Sequence, residues 1–134
     1  MYLSILNQKE KELFLELAYN LASADGDYSS KENALINGYC QEMQIEFEVK
    51  MMTRSLDYII STIKKESSII VKKIFVFELI GLAMVDKNYD ESERDLIGRL
   101  ENEFGMEANF ASECEKILNE YISFQEKINQ LVLM

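Results

Sequence analysis

The chain predicts an all-α fold of six to seven helices in two related halves, and three observations carry that expectation. It has no proline and only five glycines among 134 residues, a composition that lets helices run uninterrupted. Its apolar residues recur at i, i+3, i+4 and i+7 in successive windows, the spacing of one helix face. One short pattern also occurs twice, 61 residues apart. The first copy runs from Leu21 through Asp25, Gly26, Asp27, Tyr28 and Glu32 to Leu35-Ile36. The second runs from Leu82 through Asp86, Lys87, Asn88, Tyr89 and Glu93 to Leu96-Ile97. Leu, Ala, Asp, Tyr, Glu, Leu and Ile recur in register, as a duplicated helix-turn-helix unit would have them.

The first helix is expected over about Gln8 to Ala24. Asn7 followed by Glu10 forms a capping box, and Leu13, Phe14, Leu17 and Leu21 make one apolar stripe. Ser29 with Glu32 opens a second helix by the same logic, with Leu35, Ile36, Tyr39, Cys40 and Met43 on one face. A third helix is expected over Glu46 to Lys65, using Met51, Met52, Leu56, Ile59, Ile60 and Ile63. The fourth, Ser68 to Val85, is apolar around most of its circumference, from Ile70 and Ile74 to Leu82 and Met84, and is the expected core element. Gly81 would let a neighbouring helix approach closely. Asp90 and Glu93 open a fifth helix with Leu96, Ile97, Leu100 and Phe104, closed by Gly105 in a left-handed cap. A sixth, Ala108 to Leu131, carries Phe110, Cys114, Ile117, Leu118, Tyr121, Ile122, Phe124 and Ile128.

Bulk properties narrow the function classes. One domain is expected over residues 1–134, with the internal repeat at about 13–43 and 74–104. A hydrophobic content of 48% argues against disorder. The absence of histidine removes the commonest general base and zinc ligand. A net charge of −10 argues against nucleic-acid binding. Residues 50–73 are locally basic, with Lys50, Arg54, Lys64, Lys65, Lys72 and Lys73 against Asp57 and Glu66; a solvated helix face accounts for them. Cys40 and Cys114 lack CxxC spacing and read as buried thiols. The start has no secretory pattern and the apolar run Ile74 to Val85, interrupted by Glu78, is too short to span a bilayer, so no membrane span and a cytoplasmic location are expected.

The two acidic turns are the candidate site. Asp25, Asp27 and Ser29 alternate in the first, and Asp86, Asn88 and Asp90 in the second, with Glu32 and Glu93 following. Oxygens at alternating loop positions begin a calcium loop. An EF-hand also needs glycine at its sixth position and glutamate at its twelfth, where this chain has Ser30 or Glu91 and Ile36 or Ile97. A shorter site for Ca²⁺ or Mg²⁺ would use Asp25, Asp27, Glu32, Asp86, Asp90 and Glu93. Helix capping by Ser29, Asp90, Glu32 and Glu93, with Asp25 and Asp86 accepting turn amides, accounts for the same residues without a cation. Nothing in the sequence sets a pocket for acid–base catalysis, and no phosphate loop or nucleophile motif is present.

An apolar helix ending in Ala24-Asp25-Gly26, followed by a polar step and Glu32, resembles the tellurite-resistance TerB-like family. The resemblance covers residues 10 to about 125, with Leu17 to Met43 and Leu79 to Met106 matching the two halves. It implies an all-α fold, a non-enzymatic binding or adaptor role in a stress-response complex, and divalent cation binding through Asp25, Glu32, Asp86 and Glu93. Similar domains stand at the start of membrane-anchored DnaJ-like co-chaperones. The second copy departs from the pattern, with Lys87 in place of glycine. The expected partner is another protein. A metal-independent interaction or dimerisation domain is the alternative, prompted by the apolar tail Ile128, Leu131, Val132, Leu133 and Met134.

Overall fold

A computed structural model describes residues 1–23, 30–46, 54–85 and 89–134. Among these, the chain forms a 3-10 turn (Leu3–Ile5) and six α-helices, with no strand: α1 (Gln8–Ala22), α2 (Ser30–Met43), α3 (Leu56–Glu66), α4 (Ile69–Ala83), α5 (Glu91–Glu103) and α6 (Phe110–Leu133). The all-α expectation holds.

Local chemistry explains most boundaries. Asn7 and Glu10 form the capping box of α1, with the Glu10 amide donating to Asn7 Oδ1 at 2.9 Å and the Asn7 amide to Glu10 Oε1 at 3.0 Å. Each bond satisfies an amide that has no partner within the helix. Ser68 caps α4 by accepting from the Val71 amide. Gly105 takes a φ of +70° after α5. There the Met106 amide donates to the Glu101 carbonyl and the Gly105 amide to Asn102, the two bonds of a Schellman cap.

The helices pack around α1 and α4. α1 contacts α2, α3, α4 and α5, while α4 contacts α1, α5 and α6. Phe14 sits at the centre, edge-on to Tyr39 at 5.2 Å and to Phe75 at 5.5 Å between ring centroids. Leu17, Leu21, Ile36, Ile59, Ile63, Leu79 and Leu100 complete a core that excludes water. The stripe positions named from periodicity are buried in α1 and α5, and in α3 Ile59, Ile60 and Ile63 are buried while Leu56 is half-buried.

Several expectations are corrected. α3 starts at Leu56, not near Glu46, because Ser55 turns out of the helix and accepts from the Tyr58 amide. Upstream, α2 closes at Met43 and Gln44 adopts a φ of +57°. Met51 and Met52 lie outside the described residues. Ile70 stands at the exposed start of α4 and is 63% accessible. A Cβ added at Gly81 would meet nothing within 4 Å, so no close helix approach depends on it. Cys40 is only half-buried. In α6 only Cys114 and Leu118 are buried, and beyond Leu118 every residue except Ile122 is exposed.

Two helix glutamates, Glu78 buried and Glu42 at the surface, hold the N-terminus through tertiary hydrogen bonds. Glu78 of α4 accepts from the Met1 ammonium at 2.8 Å and the Tyr2 amide at 2.9 Å. Glu42 of α2 accepts from the Leu3 amide at 3.0 Å. Together they strap the N-terminal 3-10 turn across α2 and α4. Burial pulls the Met1 ammonium pKa down, but Glu78 and Glu42 outweigh it and hold it above its ordinary value. Glu16 of α1 is buried opposite Arg54, whose Nε lies 2.6 Å from Glu16 Oε2.

Candidate functional site

The acidic turns link α1 to α2 and α4 to α5. Of the six residues expected to ligate a cation, Asp25, Asp27 and Asp86 lie outside the described residues, as does the Ser29 cap. The other three are placed at helix starts. Glu32 stands in the first turn of α2 and Glu93 in the first turn of α5, and both are buried, at 5% and 4% accessibility. The repeat therefore places equivalent carboxylates in equivalent sheltered positions, where a solvated surface acid would be the ordinary finding.

In the second copy the Asp90–Glu93 capping box is present as expected. The Glu93 amide donates to Asp90 Oδ1 at 2.9 Å, and the Asp90 amide donates to Glu93 Oε1 at 3.2 Å. Both acids also face the positive end of the α5 dipole. Among the described residues no three acidic or thiol side chains converge as a metal centre.

Beside this turn, Arg94 connects Tyr89 to α6. Its guanidinium lies 4.0 Å from the Tyr89 ring centroid, and its Nε donates to the Tyr89 carbonyl at 3.2 Å. Its two terminal nitrogens grip Glu115 of α6 at 3.2 and 3.1 Å. The Glu115 hydrogen bonds hold the Arg94 pKa above its ordinary value. Burial pushes the Tyr89 hydroxyl up to about 12, with Arg94 opposing it. Met84, Asn119 and Ile122 help line an open cleft of about 440 Å³ here. Sequence reading identified Tyr89 but not Arg94 or Glu115, since no local spacing links two residues 21 positions apart.

The other notable surface is apolar. A groove of about 610 Å³ lies between the N-terminal strap, α4 and α6, walled by Tyr2, Ile5, Ile70, Phe77, Ile117 and Tyr121. A second hollow of about 670 Å³ shares Phe77 and Tyr121 and continues toward Leu35, Glu42 and Glu126. The exposed face of α6 extends the strip through Phe124, Ile128 and Leu131, which are 65%, 46% and 85% accessible. The tail was visible in the sequence. The contributions of Tyr2, Ile5 and Ile70 depend on the strap and were not.

The cysteines show no sign of activation. Burial raises the pKa of both thiols, Cys114 to about 11. Comparison with protein-family models, curated proteins and solved structures finds no match. No helix among the described residues is long and apolar enough to cross a membrane.

Proposed function

We propose that this chain is a non-enzymatic binding module whose partner-facing surface is the strip formed by the N-terminal strap, α4 and α6. One observation carries the reading: the exposed large apolar side chains are concentrated there. Tyr2, Ile5, Ile70, Ile117, Tyr121 and Phe124 adjoin one another along the groove and tail. Isolated apolar residues are ordinary on a surface, but a contiguous strip marks a place where another molecule sits. The groove offers almost no convergent polar chemistry, which suits docking better than catalysis. Hydroxyl-radical footprinting of the dilute chain, alone and in extract of its source cells, tests this. Protection confined to Tyr2, Tyr121 and Phe124 is expected. Unchanged reactivity along the strip would overturn it.

A second reading adds a cation to the adaptor, as the TerB-like resemblance implies, within a stress-response complex. The specific support is the sheltering of Glu32 and Glu93 at equivalent positions of the repeat. Asp25, Asp27 and Asp86 would supply further oxygens for Ca²⁺ or Mg²⁺. In the second copy a cation would have to compete with the Asp90–Glu93 capping box. Calorimetric titration of metal-stripped protein, beside the Asp25→Asn/Asp86→Asn variant, separates the readings. Saturable heat lost in the variant supports a cation site. A folded protein giving no heat leaves the acids as capping groups.

A further inference from the structure

We propose that two copies of this chain pair antiparallel through α6, about a twofold axis between Ile122 and Ser123, each tail covering the other copy's apolar groove. The proposal rests on the reading of this strip as a partner-binding surface and names its occupant.

The spacing within α6 is the starting point. Phe110, Cys114, Ile117, Tyr121, Phe124, Ile128 and Leu131 follow one another at alternating steps of four and three. That is a heptad seam with a period of 3.5, the pattern of a helix packed against another helix. Cys114 is buried in its own chain, whereas Ile117, Tyr121, Phe124, Ile128 and Leu131 are exposed. The seam thus continues well past the point where the protein's own body stops covering it.

Charge selects the orientation. The positions flanking the seam on one side hold Glu113, Glu120 and Lys127, and on the other Leu118, Gln125 and Val132. In a parallel pair the two sides meet, so Glu120 would face the partner's Gln125 and Lys127 the partner's Val132, and no ion pair forms. In an antiparallel pair like sides meet. Setting Tyr121 opposite the partner's Phe124, and Ile117 opposite the partner's Ile128, brings Glu120 to the partner's Lys127. Twofold symmetry repeats the pair. Sliding one heptad step, to set Phe124 opposite the partner's Ile128, brings Lys127 onto the partner's Lys127, and like charges repel. Sliding the other way, to set Ile117 opposite the partner's Tyr121, brings Glu120 onto the partner's Glu120, so of these three registers the first alone sets no like charges opposite one another.

The same register fits the groove. It sets Leu131 opposite the partner's Cys114, so Val132, Leu133 and Met134 run over the surface walled by Tyr2, Ile5, Ile70 and Phe77 in the other copy. All three of those tail residues are at least 70% exposed in the single chain. Two surfaces that each lack a cover therefore supply covers for one another.

Sedimentation velocity of the full chain across a wide concentration series tests the proposal, with charge variants in parallel. A monomer–dimer equilibrium is expected. Glu120→Lys and Lys127→Glu should each weaken it by about tenfold, since two modest ion pairs are replaced by repulsions. Combining them should restore wild-type affinity, because the antiparallel pair is rebuilt with its signs exchanged. Both residues are on the exposed tail, and unchanged circular dichroism confirms folding. A monomer at every concentration overturns the proposal, as does a dimer that the combined variant fails to rescue. Monomeric binding to phosphatidylcholine vesicles would also overturn it by naming a lipid occupant. If the chain is monomeric yet Tyr121 and Phe124 are protected in extract, the adaptor reading survives and only the second copy is removed.

Discussion

α4 and α6 are both rich in apolar residues, yet they occupy the molecule in opposite ways. α4 is covered by α1, α5 and α6, and Ile74, Phe75, Val76, Leu79, Ile80 and Leu82 are all buried. α6 is the longer helix, at 24 residues against 15, but buries only Cys114 and Leu118. The difference lies in pattern more than in content. Apolar side chains surround α4, so whichever neighbour it meets, some of them are covered. In α6 they form one narrow seam between acidic and polar positions, and the body of the protein covers only its beginning. Hydrophobicity states that a residue needs cover; it does not state whether that cover lies in the same chain.

The sharpest way to break the comparison is to delete an aromatic from each helix. Phe75→Ala removes a ring packed on Phe14 and should cost about 3–5 kcal/mol of folding stability. Phe124→Ala, read in dilute protein where no association contributes, should stay within about 0.5 kcal/mol of wild type. Urea unfolding of both variants gives the contrast, and equal losses would mean α6 is covered in the single chain.

Helix starts offer a smaller test. Ser68 accepts the Val71 amide, so Ser68→Ala should cost about 1 kcal/mol. Asn109 precedes α6 without a side-chain capping bond, and the Ala111 amide is met instead by Glu101 of α5 at 2.7 Å. Asn109→Ala should therefore change the unfolding midpoint little, while Glu101→Ala should lower it. A gain in place of a loss is expected at Gly81, in the last turn of α4. With space for a Cβ and ordinary helical geometry, Gly81→Ala should raise stability by about 0.5–1 kcal/mol in the same assay. A loss would show that a neighbour does approach there.

Much of this was legible in the residues because it is local. Asn7 with Glu10, Asp90 with Glu93, and Gly105 act on amides and carbonyls within a few positions, so their spacing announces them. The start of α3 was misread because the apolar spacing of Met51 and Met52 continued upstream, while Ser55 and the left-handed Gln44 interrupt the helix locally. Ile70 and Glu78 were legible as residue types but not as environments. One is exposed at a helix start, and the other is satisfied by a chain end 77 positions away. At the candidate site the repeat marked Glu32 and Glu93, and their shelter under the fold could be learned only from tertiary packing. The strap that completes the apolar groove is equally non-local, since Glu42 and Glu78 come from different helices.

The Arg94 bridge has a mechanical consequence. It ties the carbonyl and ring beside the second acidic turn to Glu115, near the root of a helix whose far half leaves the body. Both partners of its ion pair are partly exposed, so it contributes little to stability. Its leverage is larger than its energy. Because a helix rises about 1.5 Å per residue, a tilt of about 5° at Glu115 carries Leu131 sideways by about 2 Å. The start of α5 is geared to the tail, and a small displacement at the fulcrum becomes a change of aim at the tip.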